Sequence, residues 1–147
     1  VCGRNQQMYD NLQTTFANDK QLCLLGFTDQ VSLLMDASDV IFTKPGGITS
    51  TEAIVKNIPI VHTAPIPGLE NYNARFFHNH GLSYHTNDTN QQVAIAMRLC
   101  EDKAFRNRML QQQRLNSNPH TSDDVIDLIL NKQEIVYEEQ ETTHIAR

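Results

Sequence analysis

The chain has 147 residues, the length of one domain, and its balance of 39% hydrophobic and 20% charged residues is that of a folded globular protein. A formal charge of −5 excludes the basic face expected of a nucleic-acid-binding domain, and no apolar run reaches the ~18–20 residues of a membrane span. Cys2, Cys23 and Cys100 fit neither a zinc knuckle nor a disulfide framework, which points to a reducing, cytoplasmic setting.

Val1-Cys2 running into Gly3-Arg4-Asn5 reads as the end of a strand followed by a loop. Buried strands usually need about five or six residues, so the chain is expected to be a fragment entered in mid-strand. A trimmed terminus that never formed a strand is the alternative. Residues 6–18 place Met8, Leu12 and Phe16 on one face of an amphipathic helix. Leu22-Cys23-Leu24-Leu25 is a continuous apolar run suited to a strand buried on both faces. Val31, Leu34 and Met35 fit a short helix, Val40-Ile41-Phe42 the next strand, and Lys44-Pro45-Gly46-Gly47 the loop after it. A helix from Thr49 to Lys56 leads to a strand, Ile58-Pro59-Ile60-Val61, with proline tolerated near its start. The loop from Ala64 to Gly68 precedes a helix from Glu70 to Asn79, and Leu82-Ser83-Tyr84 is the last short strand.

From Asp88 onward the pattern is helical, with Asp88 or Thr89 as a cap. Val93, Met97 and Cys100 face one way, Phe105 and Met109 belong to the next helix, and Val125, Leu128 and Ile129 to a third. Strands alternating with helices predict an α/β fold, a Rossmann-like parallel sheet flanked by helices and lacking its first strands. Ligands of such sheets sit outside the carboxyl ends of the strands, here the loops at 3–5, 26–30, 43–49 and 62–70.

The segment Lys44-Pro45-Gly46-Gly47-Ile48-Thr49-Ser50-Thr51-Glu52 is the richest in chemistry. Two glycines after a strand allow close approach of a ligand, and the following helix offers unpaired N–H groups and the positive end of its dipole. Neither a Walker loop nor Gly-x-Gly-x-x-Gly is present. Thr49-x-x-Glu52 is either a capping box or the site where a carboxylate accepts bonds from a sugar diol. His62 is either near the ligand or a packed histidine, and His78 and His80 do not make a metal pair. Arg98, Lys103, Arg106, Arg108 and Arg114 form a basic stretch, readable as a solvated helix face or a patch for anionic lipid. The tail carries Glu134, Glu138, Glu139 and Glu141 beside apolar Ile135, Val136 and Tyr137.

Five segments occur in order: Cys2-Gly3-Arg4-Asn5, Gly26-Phe27-Thr28-Asp29-x-Val31, Ala37-Ser38-Asp39, Thr43-Lys44-Pro45-Gly46-Gly47-x-Thr49-x-x-Glu52-Ala53 and Pro65-Ile66-Pro67-Gly68-x-Glu70-x-x-Asn73-Ala74. Together they resemble the C-terminal domain of glycosyltransferase family 28, within it the diacylglycerol glucosyltransferases and monogalactosyldiacylglycerol synthases. The resemblance is dense to about residue 85 and implies the donor-binding half of a two-domain GT-B enzyme. Residues 1–133 would be the UDP-sugar-binding domain and 134–147 an acidic tail or the end of a crossover helix. It implies that the backbone at Phe27 and Thr28 pairs with uracil, with Val31 packing nearby. Lys44, Gly46, Gly47, Ile48 and Thr49 would hold the pyrophosphate end, Glu52 the ribose, and Glu70 and Asn73 the sugar, with Arg4 and Asn5 reaching the nucleotide. Leu69 stands where the family commonly has Gln, which puts the identity of the sugar in question.

The implied partners are a UDP-sugar and a lipid acceptor held by a missing N-terminal domain, with peripheral contact at the inner face of the plasma membrane. The implied reaction is inverting, with the base on the missing domain and no catalytic residue in this chain. No Asp-x-Asp occurs, so no metal and no cofactor are expected. The alternatives are a UDP-N-acetylglucosamine transferase to another lipid and a non-catalytic nucleotide-sugar-binding subunit that needs a partner.

Overall fold

The β-branched and aromatic runs of the sequence suit a pleated surface. In the computed structural model, which describes residues 1–118 and 120–130, they form the centre of a first unit, Val1–Ser117. Strands β1 (Ile41–Thr43), β2 (Ile60–His62) and β3 (Tyr84–His85) pair in parallel in that order, with Ile41 opposite Ile60 and Val61 opposite Tyr84. Parallel neighbours need long crossovers, which α3 (Gly47–Val55) and α4 (Leu69–Asn79) supply. Upstream lie α1 (Gln6–Thr15) and α2 (Val31–Asp36), and downstream α5 (Thr89–Glu101) and α6 (Lys103–Asn116). This is the expected Rossmann-like α/β class, a parallel sheet flanked by helices.

Adjacent residues of a strand point to opposite faces, and Ile60 and Val61 are both fully buried. Ile60 joins Ala53, Ile54, Phe77 and Leu82 of the α3 and α4 side, whereas Val61 joins Ala96, Leu99, Phe105 and Met109 of the α5 and α6 side. Burial on both faces explains why β2 reads as an apolar run rather than an alternation.

Both crossover helices end in the same way. Asn57, at φ 58°, follows α3, and the N–H groups of Asn57 and Ile58 donate to Ile54 and Ala53 carbonyls. Gly81, at φ 68°, follows α4, and Gly81 and Leu82 donate to His78 and Phe77. These are Schellman turns, in which a left-handed residue satisfies the last carbonyls of a helix. Fully buried Gln113 of α6 ties the two turns together, its Nε2 donating to the carbonyls of Ile58 and Leu82 at 2.9 Å each.

Several expectations are corrected. Neither Val1-Cys2 nor Leu22–Leu25 is a strand: the two segments share one backbone bond, from Cys2 N–H to the Leu25 carbonyl, too little to build a ladder. The first helix ends at Thr15, and its Met8-Leu12-Phe16 face buries no residue. On α5 the buried face is Gln92, Ala96 and Leu99, while Val93, Met97 and Cys100 are exposed. Of the two caps expected for α5, Asp88 is the one present, accepting the N–H groups of Asn90 and Gln91. Of the two readings of the basic stretch, the exposed helix face agrees with the structure: Arg98, Lys103, Arg108 and Arg114 are exposed, with Arg98 4.0 Å from the centre of the Phe105 ring and Arg114 donating to Asn57.

A second unit begins at Asn118 and contains α7 (Thr121–Leu130), which carries Val125, Leu128 and Ile129 and buries none of its residues. The acidic tail, with Glu134, Glu138, Glu139, Glu141, Ile135, Val136 and Tyr137, lies outside the described residues.

Candidate functional site

The carboxyl end of β1 runs through Lys44-Pro45-Gly46 directly into α3. The helix starts at Gly47, two residues before the Thr49 start expected from sequence, so Thr49 is its third residue and not its cap. The capping-box role of Glu52 is thereby excluded. Gly46 is the N-cap residue and no side chain caps this end, which leaves the N–H groups of Gly47, Ile48 and Thr49 without helical acceptors. Gly46 has φ −74°, which any residue adopts, so the turn itself does not require glycine. Nor does packing require it at the next position: a Cβ on Gly47 would meet nothing within 4 Å, so the space in front of this turn is open. These N–H groups belong to the residues that the resemblance assigns to pyrophosphate.

One face of α3, at Ser50, Ala53 and Ile54, is buried. Another lines a cleft of about 600 Å³ with α2, in which Gly47, Ile48 and Glu52 face Ser32 and Met35. Among the described residues, the exposed Glu52 carboxylate has no hydrogen-bonding partner. A second cleft, of about 410 Å³, takes Thr49 together with Val31, Met35 and Thr43.

The loop after β2 closes on the same turn. Gly68, at φ 111°, needs glycine's freedom and starts α4. Glu70, in the first turn of α4, accepts Lys44 Nζ on Oε1 at 2.6 Å and the Ile66 N–H on Oε2 at 2.8 Å. These two bonds, with Lys44 the larger cause, hold the Glu70 carboxyl below its ordinary range, so it is ionised and an acceptor only. Asn73 donates from Nδ2 to the Pro45 carbonyl at 3.0 Å, fixing α4 to the turn. Leu69 projects outward, 79% exposed.

The structure thus joins Lys44, Gly46, Glu70 and Asn73 into one contact set, and places Gly47, Ile48 and Glu52 in one cleft and Thr49 and Val31 in the next. The Arg4 guanidinium lies 5.2 Å from the centre of the Phe27 ring, a separate pair that lines neither cleft. Asn5 caps α1 by accepting the Met8 N–H, and Thr28 Oγ1 accepts the Gln30 N–H. Ser32, Met35 and Thr51 also line the first cleft; as small or apolar helical residues they carry no sequence signal for a site.

His62 is the packed histidine of the two readings. It is fully buried at the end of β2, with Nε2 2.9 Å from Ser50 Oγ of α3 and Nδ1 2.9 Å from Ser83 Oγ. A neutral imidazole has one donor and one acceptor nitrogen, and the two serine hydroxyls satisfy both. Burial, aided by neighbouring His85, lowers its pKa to about 4. His62 therefore links α3 to the sheet and is no metal ligand; no metal-binding cluster of His, Cys, Asp and Glu occurs among the described residues.

The chain matches the family described as glycosyl transferases group 1 over residues 1–116. It is 31% identical over 114 residues to the processive diacylglycerol beta-glucosyltransferase of Staphylococcus carnosus, covering 78% of this chain and 29% of the relative. The proteins of the same name from Bacillus pumilus and Bacillus subtilis are each 30% identical, over 139 and 141 residues, covering 92% and 95% of this chain and 36% and 37% of the relatives. The chain spans about a third of the length of these curated relatives. Among the described residues no helix is long and apolar enough to cross a membrane.

Proposed function

The chain belongs to the glycosyl transferases group 1 family, and from that premise we propose that it is the donor-binding part of a UDP-sugar:diacylglycerol hexosyltransferase. The observation that carries this reading is the uncapped start of α3, where the open N–H groups of Gly47, Ile48 and Thr49 stand beside the exposed carboxylate of Glu52, which has no partner among the described residues. A diphosphate suits the first and a ribose diol the second. Exposed Phe27 and the backbone at Thr28 take the uracil in this reading, Arg4 borders it, and Asn5 acts through the α1 cap. Lys44, Glu70 and Asn73 face the end of the diphosphate and the sugar.

In the reaction an acceptor hydroxyl oxygen attacks the anomeric carbon from the side opposite the leaving group. The bond from that carbon to the phosphate oxygen breaks and UDP leaves. The hydroxyl proton passes to a base on a partner domain that holds the diacylglycerol, and this chain supplies no base. Negative charge grows on the departing phosphate, and fixed N–H dipoles at a helix start stabilise it without reorganising. Lys44 adds a mobile positive charge, so this reading requires no metal. On its own the chain binds donor and transfers nothing.

The test is to join the chain to the acceptor half of one of its relatives and to follow transfer of labelled hexose from UDP-glucose, UDP-galactose and UDP-N-acetylglucosamine to diacylglycerol. Transfer from one of the hexose donors is expected. Transfer only from UDP-N-acetylglucosamine supports the alternative donor, and binding without any transfer supports a non-catalytic subunit.

A further inference from the structure

Lys44 and Glu70 lie 26 residues apart, at the ends of two different crossover loops, yet their side chains meet at 2.6 Å. Both Glu70 oxygens are occupied, one by Lys44 and the other by the Ile66 N–H. The Glu70 side chain is only 14% exposed, whereas that of Lys44 is 56% exposed. A Cβ on Gly46 would stand 3.9 Å from Glu70 Oε1, so the carboxylate lies beside the turn that opens the α3 N–H groups. An anion arriving at those N–H groups therefore meets a second anion whose charge, among the described residues, only Lys44 offsets. Two anions then compete for one ammonium.

We propose that Lys44 and Glu70 form an exchangeable ion pair: the diphosphate of the donor takes the Lys44 ammonium, and the vacated Oε1 of Glu70 accepts a hydroxyl of the sugar. This rests on the donor-site reading above and adds to it a coupling between two parts of the ligand. The chemistry of the two side chains suits the exchange. An ammonium on a flexible four-carbon stem changes partner by rotating its own bonds. Glu70 stays in place while one oxygen is vacated, because the Ile66 N–H holds the other. Without a diphosphate Oε1 keeps its bond to Lys44 on a side chain only 14% exposed, so the sugar gains full access to it only once the diphosphate has drawn Lys44 away.

The test is calorimetric titration of the full chain with uridine, UDP and UDP-glucose, in wild type, Lys44→Met and Glu70→Gln, with unfolding midpoints confirming that each variant folds. Glutamine keeps an acceptor for the Ile66 N–H. Lys44→Met is expected to weaken UDP by about tenfold, the scale of one charge-assisted hydrogen bond, and to leave uridine unchanged. Glu70→Gln is expected to tighten UDP, since Lys44 no longer has to leave a carboxylate, and to shrink the gain of UDP-glucose over UDP. A Glu70→Gln variant that loses UDP as Lys44→Met does would overturn the exchange and make the pair a fixed clamp. Unchanged UDP binding in both variants would overturn it as well. A wild-type chain that binds uridine and UDP equally or not at all would instead defeat the donor-site reading itself.

Discussion

Glu52 and Glu70 show how the same side chain takes different states one helix apart. Glu70 is held by Lys44 and a backbone N–H, and Glu52 is exposed with no partner among the described residues. An exposed, unpaired carboxylate adds little to folding, so Glu52→Ala is expected to change unfolding free energy by no more than about 0.5 kcal/mol in urea titrations. Its affinity for UDP is expected to fall severalfold in the same preparation. A stability loss matching the loss of affinity would return Glu52 to a structural role. His62 gives a pH signature. Unfolded it titrates near 6.5, and folded near 4. Between those values the unfolded chain binds more protons, so stability is full above about pH 6.5 and declines as the pH falls. By pH 4 the loss reaches up to about 3 kcal/mol. His62→Gln is expected to flatten that slope, and an equal slope in the variant would place the titrating group elsewhere.

At the scale of elements, α5 separates hydrophobic pattern from burial. Leu99 is fully buried and Met97 is 56% exposed. Leu99→Ala is therefore expected to cost about 2–5 kcal/mol, and Met97→Ala about 0.5 kcal/mol or less, by urea unfolding. The helix carries two apolar stripes, Val93-Met97-Cys100 and the neighbouring Ala96-Leu99, and periodicity alone does not choose between them. Packing on Val61 of β2 does. β1, β2 and α1 through α7 were legible because an apolar run or a helical period defines each of them. Leu22–Leu25 has the composition of a strand, but a strand also needs a neighbour to pair with, which composition does not report. Gln113 was invisible for the opposite reason: it lies in a polar run, Gln111-Gln112-Gln113-Arg114, and only the meeting of two Schellman turns buries it. Gln113→Leu would leave two buried carbonyls unpaired at about 1–3 kcal/mol each. A midpoint close to wild type would show that water replaces the amide.

At the scale of the molecule, the sheet puts the chemistry at one end. The loops after β1 and β2 both leave the carboxyl ends of parallel strands, so the Gly46-Gly47 turn and the Glu70 loop converge although far apart in sequence. The residue types of this site were legible from the glycine pair and the segments around it. The pairing of Lys44 with Glu70 was not, because it depends on how far two side chains reach between loops. The chain covers about a third of its relatives, and its proposed share of the reaction is to hold the donor and stabilise the leaving diphosphate. The most direct measurement of that claim is a thermal shift of the chain with UDP, with ADP as control and EDTA present. A single-site ligand at about 100 times Kd stabilises by about 2.7 kcal/mol, several degrees for a chain of this size. The expected result is a shift with UDP that ADP does not reproduce and that Glu52→Ala measurably reduces. An equal shift with ADP, or none with UDP in a folded sample, would contradict the account.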